Sequence, residues 1–226
     1  MRITSVAFDT DDLGRAESFY GSVLGLPTRY GDGALTVQAG ASRLVLREGD
    51  PGPGRQHLAF TIPRLMFDTA KRWISERVPL LRDSEGRDDF ETSPHWNAHS
   101  LYFEDADGNI LEFIIRRDIA DDRTGPFRPE HVLAISEVGV PVGDVPAVAA
   151  RAEAAFGIEA YGTGTSDFRP IGNVEGLLIL VAPGRHWFPT TVPSGSTSLS
   201  VHIVGKAAGS LEPAHGITIH SDIMRI

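Results

Sequence analysis

Glu112 is the residue whose setting calls for chemistry. It stands in Ile110-Leu111-Glu112-Phe113-Ile114-Ile115, a carboxylate among apolar side chains that favour a strand. Strand side chains alternate, so Glu112 shares a face with Ile110 and Ile114. Turned inward, a carboxylate there must be paired, protonated or bound to a metal; on a solvated edge or in a structural ion pair it would be ordinary. His57 opens a second apolar run, His57-Leu58-Ala59-Phe60-Thr61-Ile62, directly after a Gly/Pro-rich stretch. Alone it reads as a structural histidine, sharing a strand face with Ala59 and Thr61.

Alternation sorts the neighbours. Asp105 to Asn109 form a polar, Gly-containing turn, so residues 96–115 fold as a hairpin. Trp96, Ser100 and Tyr102 then lie in phase on one strand, and Arg116 lies in phase with Glu112 on the other. Tyr102 reads on its own as a core aromatic with a bonded hydroxyl. Trp96 either roofs a cavity or packs, and Arg116 either meets an anion or is solvated. His99 falls on the opposite face with Leu101 and Phe103, which suits packing against a helix. His186-Trp187-Phe188-Pro189 reads as a packed turn.

The 226-residue chain is 41% hydrophobic, with 30 acidic and 21 basic residues and a net charge of −9. No Lys/Arg-rich run appears, which argues against nucleic acid or an anionic membrane as partner. Without cysteine, disulfides, thiolate metal sites and a cysteine nucleophile are excluded. The N-terminus enters a strand pattern with no signal-peptide core, and no apolar run reaches the roughly 18 residues of a membrane span. The expectation is a cytoplasmic enzyme or binding protein with a small-molecule partner.

These side chains need elements to hold them. Residues 3–10 read as a strand, and Asp12 caps a helix carrying Leu13, Ala16, Phe19, Tyr20, Val23 and Leu24, ended by Gly25 and Pro27. Strands follow at 28–30, 34–38 and 43–47, giving a β-α-β-β-β unit. After the turn-rich run 48–54 the order restarts. His57 begins a strand, a helix carries Phe67, Ala70, Trp73 and Ile74, residues 78–81 suggest a strand, 83–95 a loop, and the hairpin closes the unit near Arg117. The charged, Pro-bearing segment 118–131 reads as a linker. Beyond it, Ile135-Ser136-Glu137-Val138 aligns without gaps on Ile3-Thr4-Ser5-Val6, and Asp144 falls on Asp12. Strands at 168–171 and 177–181 and a final unit from about Ser198 complete a repeat too short to be whole.

In their order and spacing, three groups of residues resemble the vicinal oxygen chelate superfamily of glyoxalases, extradiol dioxygenases and bleomycin-resistance proteins. They are Asp12-Leu13 with Phe19-Tyr20 and Leu24-Gly25-Leu26, then His57-Leu58-Ala59-Phe60, then the run Tyr102 to Glu112. The resemblance implies an α+β fold of paired βαβββ modules in two tandem domains, the second shortened: 1–117, a linker at 118–131, and 132–226. It implies a cavity in the first domain and a divalent ion (Fe2+, Mn2+, Zn2+ or Ni2+) held by His57 and Glu112. Ser5, at the first ligand position, stands where metal-dependent members have histidine; a serine there would bond a metal-bound water. The second copy offers Glu137 on Ser5, with Ser198 and His220 only loosely matching the other two positions, and no site is expected there.

The roles implied are catalysis by Tyr102 and Glu112 and substrate contact by Ser5, Trp96, Ser100 and Arg116. The function expected is that of a metal-dependent glyoxalase or dioxygenase; the alternative is a metal-free protein that sequesters a small molecule. The shortened second domain could act as a lid or as the contact of a homodimer.

Overall fold

The computed structural model describes residues 1–196 and 198–223. The first module is β1 (Arg2–Thr10), α1 (Leu13–Glu17) running on as a π-helical turn over Ser18–Val23, β2 (Thr28–Gly31), β3 (Ala34–Ala39) and β4 (Ser42–Glu48). The second is β5 (His57–Thr61), α2 (Phe67–Ser75), β6 (Phe90–Glu91), β7 (Ala98–Glu104) and β8 (Ile110–Arg116). The third has β9 (Ala134–Pro141), α3 (Val145–Phe156), β10 (Phe168–Asn173) and β11 (Gly176–Val181). The fourth keeps β12 (Leu199–Gly205), β13 (Gly209–Ala214) and β14 (Ile217–Ile223), with no helix among the described residues. The fold is thus α+β in two tandem halves, the second shortened.

Local chemistry sets these boundaries. Asp12 and Asp144 cap α1 and α3 by accepting from the backbone N–H of Arg15 and Ala147. Gly157 ends α3 at φ +63°, the left-handed conformation that favours glycine. In the β7–β8 turn, Asp105 accepts from the N–H groups of Asp107 and Asn109 at 2.9 Å, and its buried carboxylate also takes the Tyr20 hydroxyl at 2.8 Å. The strand expected at 78–81 is reduced to a single bridge, Leu80 to Phe103, while β6 occupies part of the expected loop.

Among the described residues fourteen strands form two sheets, ordered β13-β14-β12-β1-β4-β3-β2 and β10-β11-β9-β5-β8-β7-β6. The modules therefore pair in nested order, first with fourth and second with third. Residues 118–131 deliver β9 to the free edge of β5, where it pairs antiparallel with Leu58 opposite Val138. The first two modules do not share a sheet; the cavity beside β5 and β8 is bounded by the third module instead of the first. Nor is the connecting segment a free tether: Phe127 is buried and Pro129–His131 form a 3-10 turn.

All three helices pack into one apolar core with one face of each sheet. α3 shows why, burying Val145, Val148, Ala149, Ala152 and Phe156 along one stripe. Ser42 ties the sheets together, donating to the Ile3 carbonyl at 2.7 Å and accepting from the Ile135 N–H at 3.0 Å. The other face of the second sheet, turned from the helices, carries the candidate residues. Among the described residues no helix is long and apolar enough to cross a membrane.

Candidate metal centre

Three strands bring three donors together. β5 supplies His57, β8 supplies Glu112, whose register neighbour is Ala59, and β9 supplies Glu137, which lies opposite the same Ala59. A small side chain at the crossing leaves room for the three larger ones. His57 Nε2 is 3.4 Å from Glu112 Oε2 and 3.9 Å from Glu137 Oε2. One donor atom from each lies within 4.8 Å of the others, and all three residues are buried. Ligands sharing one ion stand roughly 3–3.5 Å apart, so the set fits a divalent cation with small side-chain adjustment. The other imidazole nitrogen, Nδ1, lies 3.1 Å from the Ile110 carbonyl, which can only accept; the proton therefore sits on Nδ1 and Nε2 faces the carboxylates.

The electrostatics are those of three ionisable groups buried side by side. Burial opposes charge on His57, yet Glu112 and Glu137 outweigh it and hold the imidazole pKa up at about 9. Burial, and then Glu137, raise the Glu112 pKa; His57 and the Ser100 hydroxyl hold it back. Burial and the two carboxylates push the Tyr102 phenol well above its usual value, so it stays a hydrogen-bond donor.

These donors open into a cavity of about 330 Å³ walled by Trp96, Tyr102, Phe168, Ile179, Trp187 and Phe188. Trp187 lies tilted over His57, ring centres 5.1 Å apart, and its Nε1 donates to the Arg55 carbonyl at 2.8 Å. It fits there because residue 139 is glycine: a Cβ at that position would come within 2.6 Å of the indole. Phe188 closes on Tyr102 edge to face at 5.6 Å.

Of the residues expected from sequence, His57, Glu112, Tyr102 and Trp96 meet at this cavity. Ser100 is buried beside Glu112 and does not line it. Arg116 does not line it either: fully buried, it donates to Glu137 under the rings of Trp96 and Tyr161. Ser5 lies in the other sheet, opposite His202 and beside Arg43, because nested pairing carries its module away. His99 stacks on Phe67 of α2 at 3.7 Å, as its phase implied. Glu137, Trp187 and Phe188 were missed. The signal for Glu137 was its alignment with Ser5 at a ligand position, and the pairing order was needed to use it.

A local twofold relates the halves of this sheet. Centred on Leu58 and Val138, it exchanges His57 with Glu137, and Glu112 with Ile179, the register neighbour of Gly139. The fourth symmetry-related position is thus isoleucine, and three donors face the cavity with one side unfilled.

Comparison with solved structures agrees with this architecture. A protein from Bacillus subtilis subsp. subtilis str. 168, described as a candidate dioxygenase, matches over 98% of this chain and 85% of its own, with TM-score 0.63 and 12% identity. A point mutant of glyoxalase I from Zea mays matches over 97% of this chain and 93% of its own, with TM-score 0.56 and 15% identity. The chain shares the fold of these two structures. Glyoxalase I from Zea mays itself superposes over 89% of this chain and 74% of its own, with TM-score 0.53 and 15% identity. No family model matches the sequence, and no curated protein matches it.

Proposed function

We propose that this chain is a divalent-metal enzyme of glyoxalase or dioxygenase type, acting on a small oxygen-rich molecule in the cavity beside His57, Glu112 and Glu137. The observation that carries the reading is the convergence of these three buried donors, from three strands and both halves of the chain, at the floor of an aromatic pocket. A bound divalent ion would supply Lewis acidity toward neighbouring substrate oxygens. One nitrogen and two carboxylates favour Fe2+ or Mn2+ over softer choices.

The chain's own groups do the rest. Nδ1 of His57, fixed by the Ile110 carbonyl, keeps Nε2 aimed at the site. Tyr102, held protonated by its surroundings, donates a hydrogen bond to a substrate oxygen and orients it. Glu112, its pKa raised by burial, is able to take a proton from substrate. Trp187 and Phe188 keep water from the reacting face. Sequestration without metal would leave the inward-facing donor set without a task.

Elemental analysis of untagged protein purified without chelator, beside Glu112→Gln, tests this. Near-stoichiometric metal in the parent and loss in the variant are expected, and would direct a screen of catechols and hemithioacetals. Metal-free protein that takes up none on soaking would refute the reading.

A further inference from the structure

Arg116 is a buried cation that no metal centre of this composition needs for its geometry. Its side chain has no exposed surface, and Glu137 is the carboxylate it pairs with among the described residues. Nη2 donates to Glu137 Oε1, whereas Oε2 is the oxygen turned toward His57. Nε and Nη1 are buried and reach no hydrogen-bond acceptor. The guanidinium lies 5.7 Å from the centre of the Trp96 ring and 6.0 Å from that of Tyr161, which screen it from solvent. A guanidinium left with unsatisfied donors in an apolar setting is costly, and what it does for the site is electrostatic.

We propose that Arg116 cancels the charge of Glu137, so that the donors present one net negative charge instead of two, and that the cavity accordingly takes a substrate bearing one ionised oxygen. This rests on the metal reading above. With neutral His57, Glu112 and Glu137 contribute two negative charges and Arg116 one positive. A divalent ion then leaves one net positive charge in a dry pocket, matched by a singly ionised chelating substrate and poorly matched by a neutral or doubly ionised one. Arg116 is thus a charge-setting residue acting through Glu137, with no contact to substrate.

The test uses Co2+ and acetohydroxamate, a singly charged chelator that binds through two oxygens, read by the visible spectrum of the cobalt-loaded protein. Removing the cation in Arg116→Gln should tighten Co2+ binding and weaken acetohydroxamate uptake, each by roughly tenfold or more, since charges a few ångströms apart in protein interact at that level. A structural role would loosen both, because Glu137 would lose its anchor. Loosening of both, or no change in either, overturns the proposal. Arg116→Lys keeps the charge and should hold both constants near parental values; if Arg116→Gln does not fold, a shift of either constant in the lysine variant overturns it. A parent protein that takes up no Co2+ would overturn the metal reading and this proposal together, whereas Co2+ uptake with acetohydroxamate affinity indifferent to residue 116 overturns this proposal alone.

Discussion

Metal uptake should carry a steep and calculable pH dependence. A metal ligand must be deprotonated, and the two carboxylates that face His57 hold its pKa up at about 9 against the effect of burial. At pH 7 roughly one molecule in a hundred then presents a free Nε2, a penalty of about 3 kcal/mol on binding. Apparent affinity for Mn2+ or Co2+ should climb about tenfold per pH unit between pH 6.5 and 9 and level off above, with about one proton released per ion at pH 7. Glu112, whose pKa is also raised, adds to the slope at the acid end. Competition with a calibrated chelator across pH gives the slope; calorimetry in two buffers of different ionisation enthalpy gives the proton count. An affinity flat from pH 6.5 to 9, or binding with no proton released, would refute the assignment of His57 as a ligand flanked by two ionised carboxylates.

Glu137→Gln should abolish metal binding and also strip Arg116 of its only carboxylate partner among the described residues, destabilising the protein by about 3–5 kcal/mol in chemical denaturation. Equal stability of variant and parent would show that the pair is not formed. Ser5→His should leave metal content unchanged, because Ser5 lies in the sheet that does not carry the donors; a gain of a second equivalent by elemental analysis would contradict the strand order.

Much of this was legible in the chain. Asp12, Gly25 and the helical stripe after them announce the first module, and a carboxylate between Leu111 and Phe113 announces the site, because capping, left-handed turns and alternation are local. The phase of the β7 strand correctly separated His99, packed on Phe67, from Tyr102, which faces the cavity. What alternation cannot report is which edge meets which. Ser5 and Glu137 occupy the same place in the repeat, and only the pairing of β9 with β5 decides that Glu137 is the one beside His57. Arg116 was read as meeting a substrate for the same reason: its phase was right, but its partner and the rings above it come from beyond residue 131.

The nested order of the modules has a consequence for how the molecule is assembled as it is made. Leu58 finds Val138 across a short span of chain, whereas Arg2 must wait for Val204. The inner sheet, with its donors and its aromatic wall, can close once the chain has grown past Phe188, while β1 to β4 still show a bare edge. Sequence-distant pairings form late, and an unpaired strand edge invites aggregation while it lasts. The fourth module, short and without a helix among the described residues, then works as a clasp. Among the described residues it adds no donor to the centre, but it seals the edge that the first module holds open throughout synthesis.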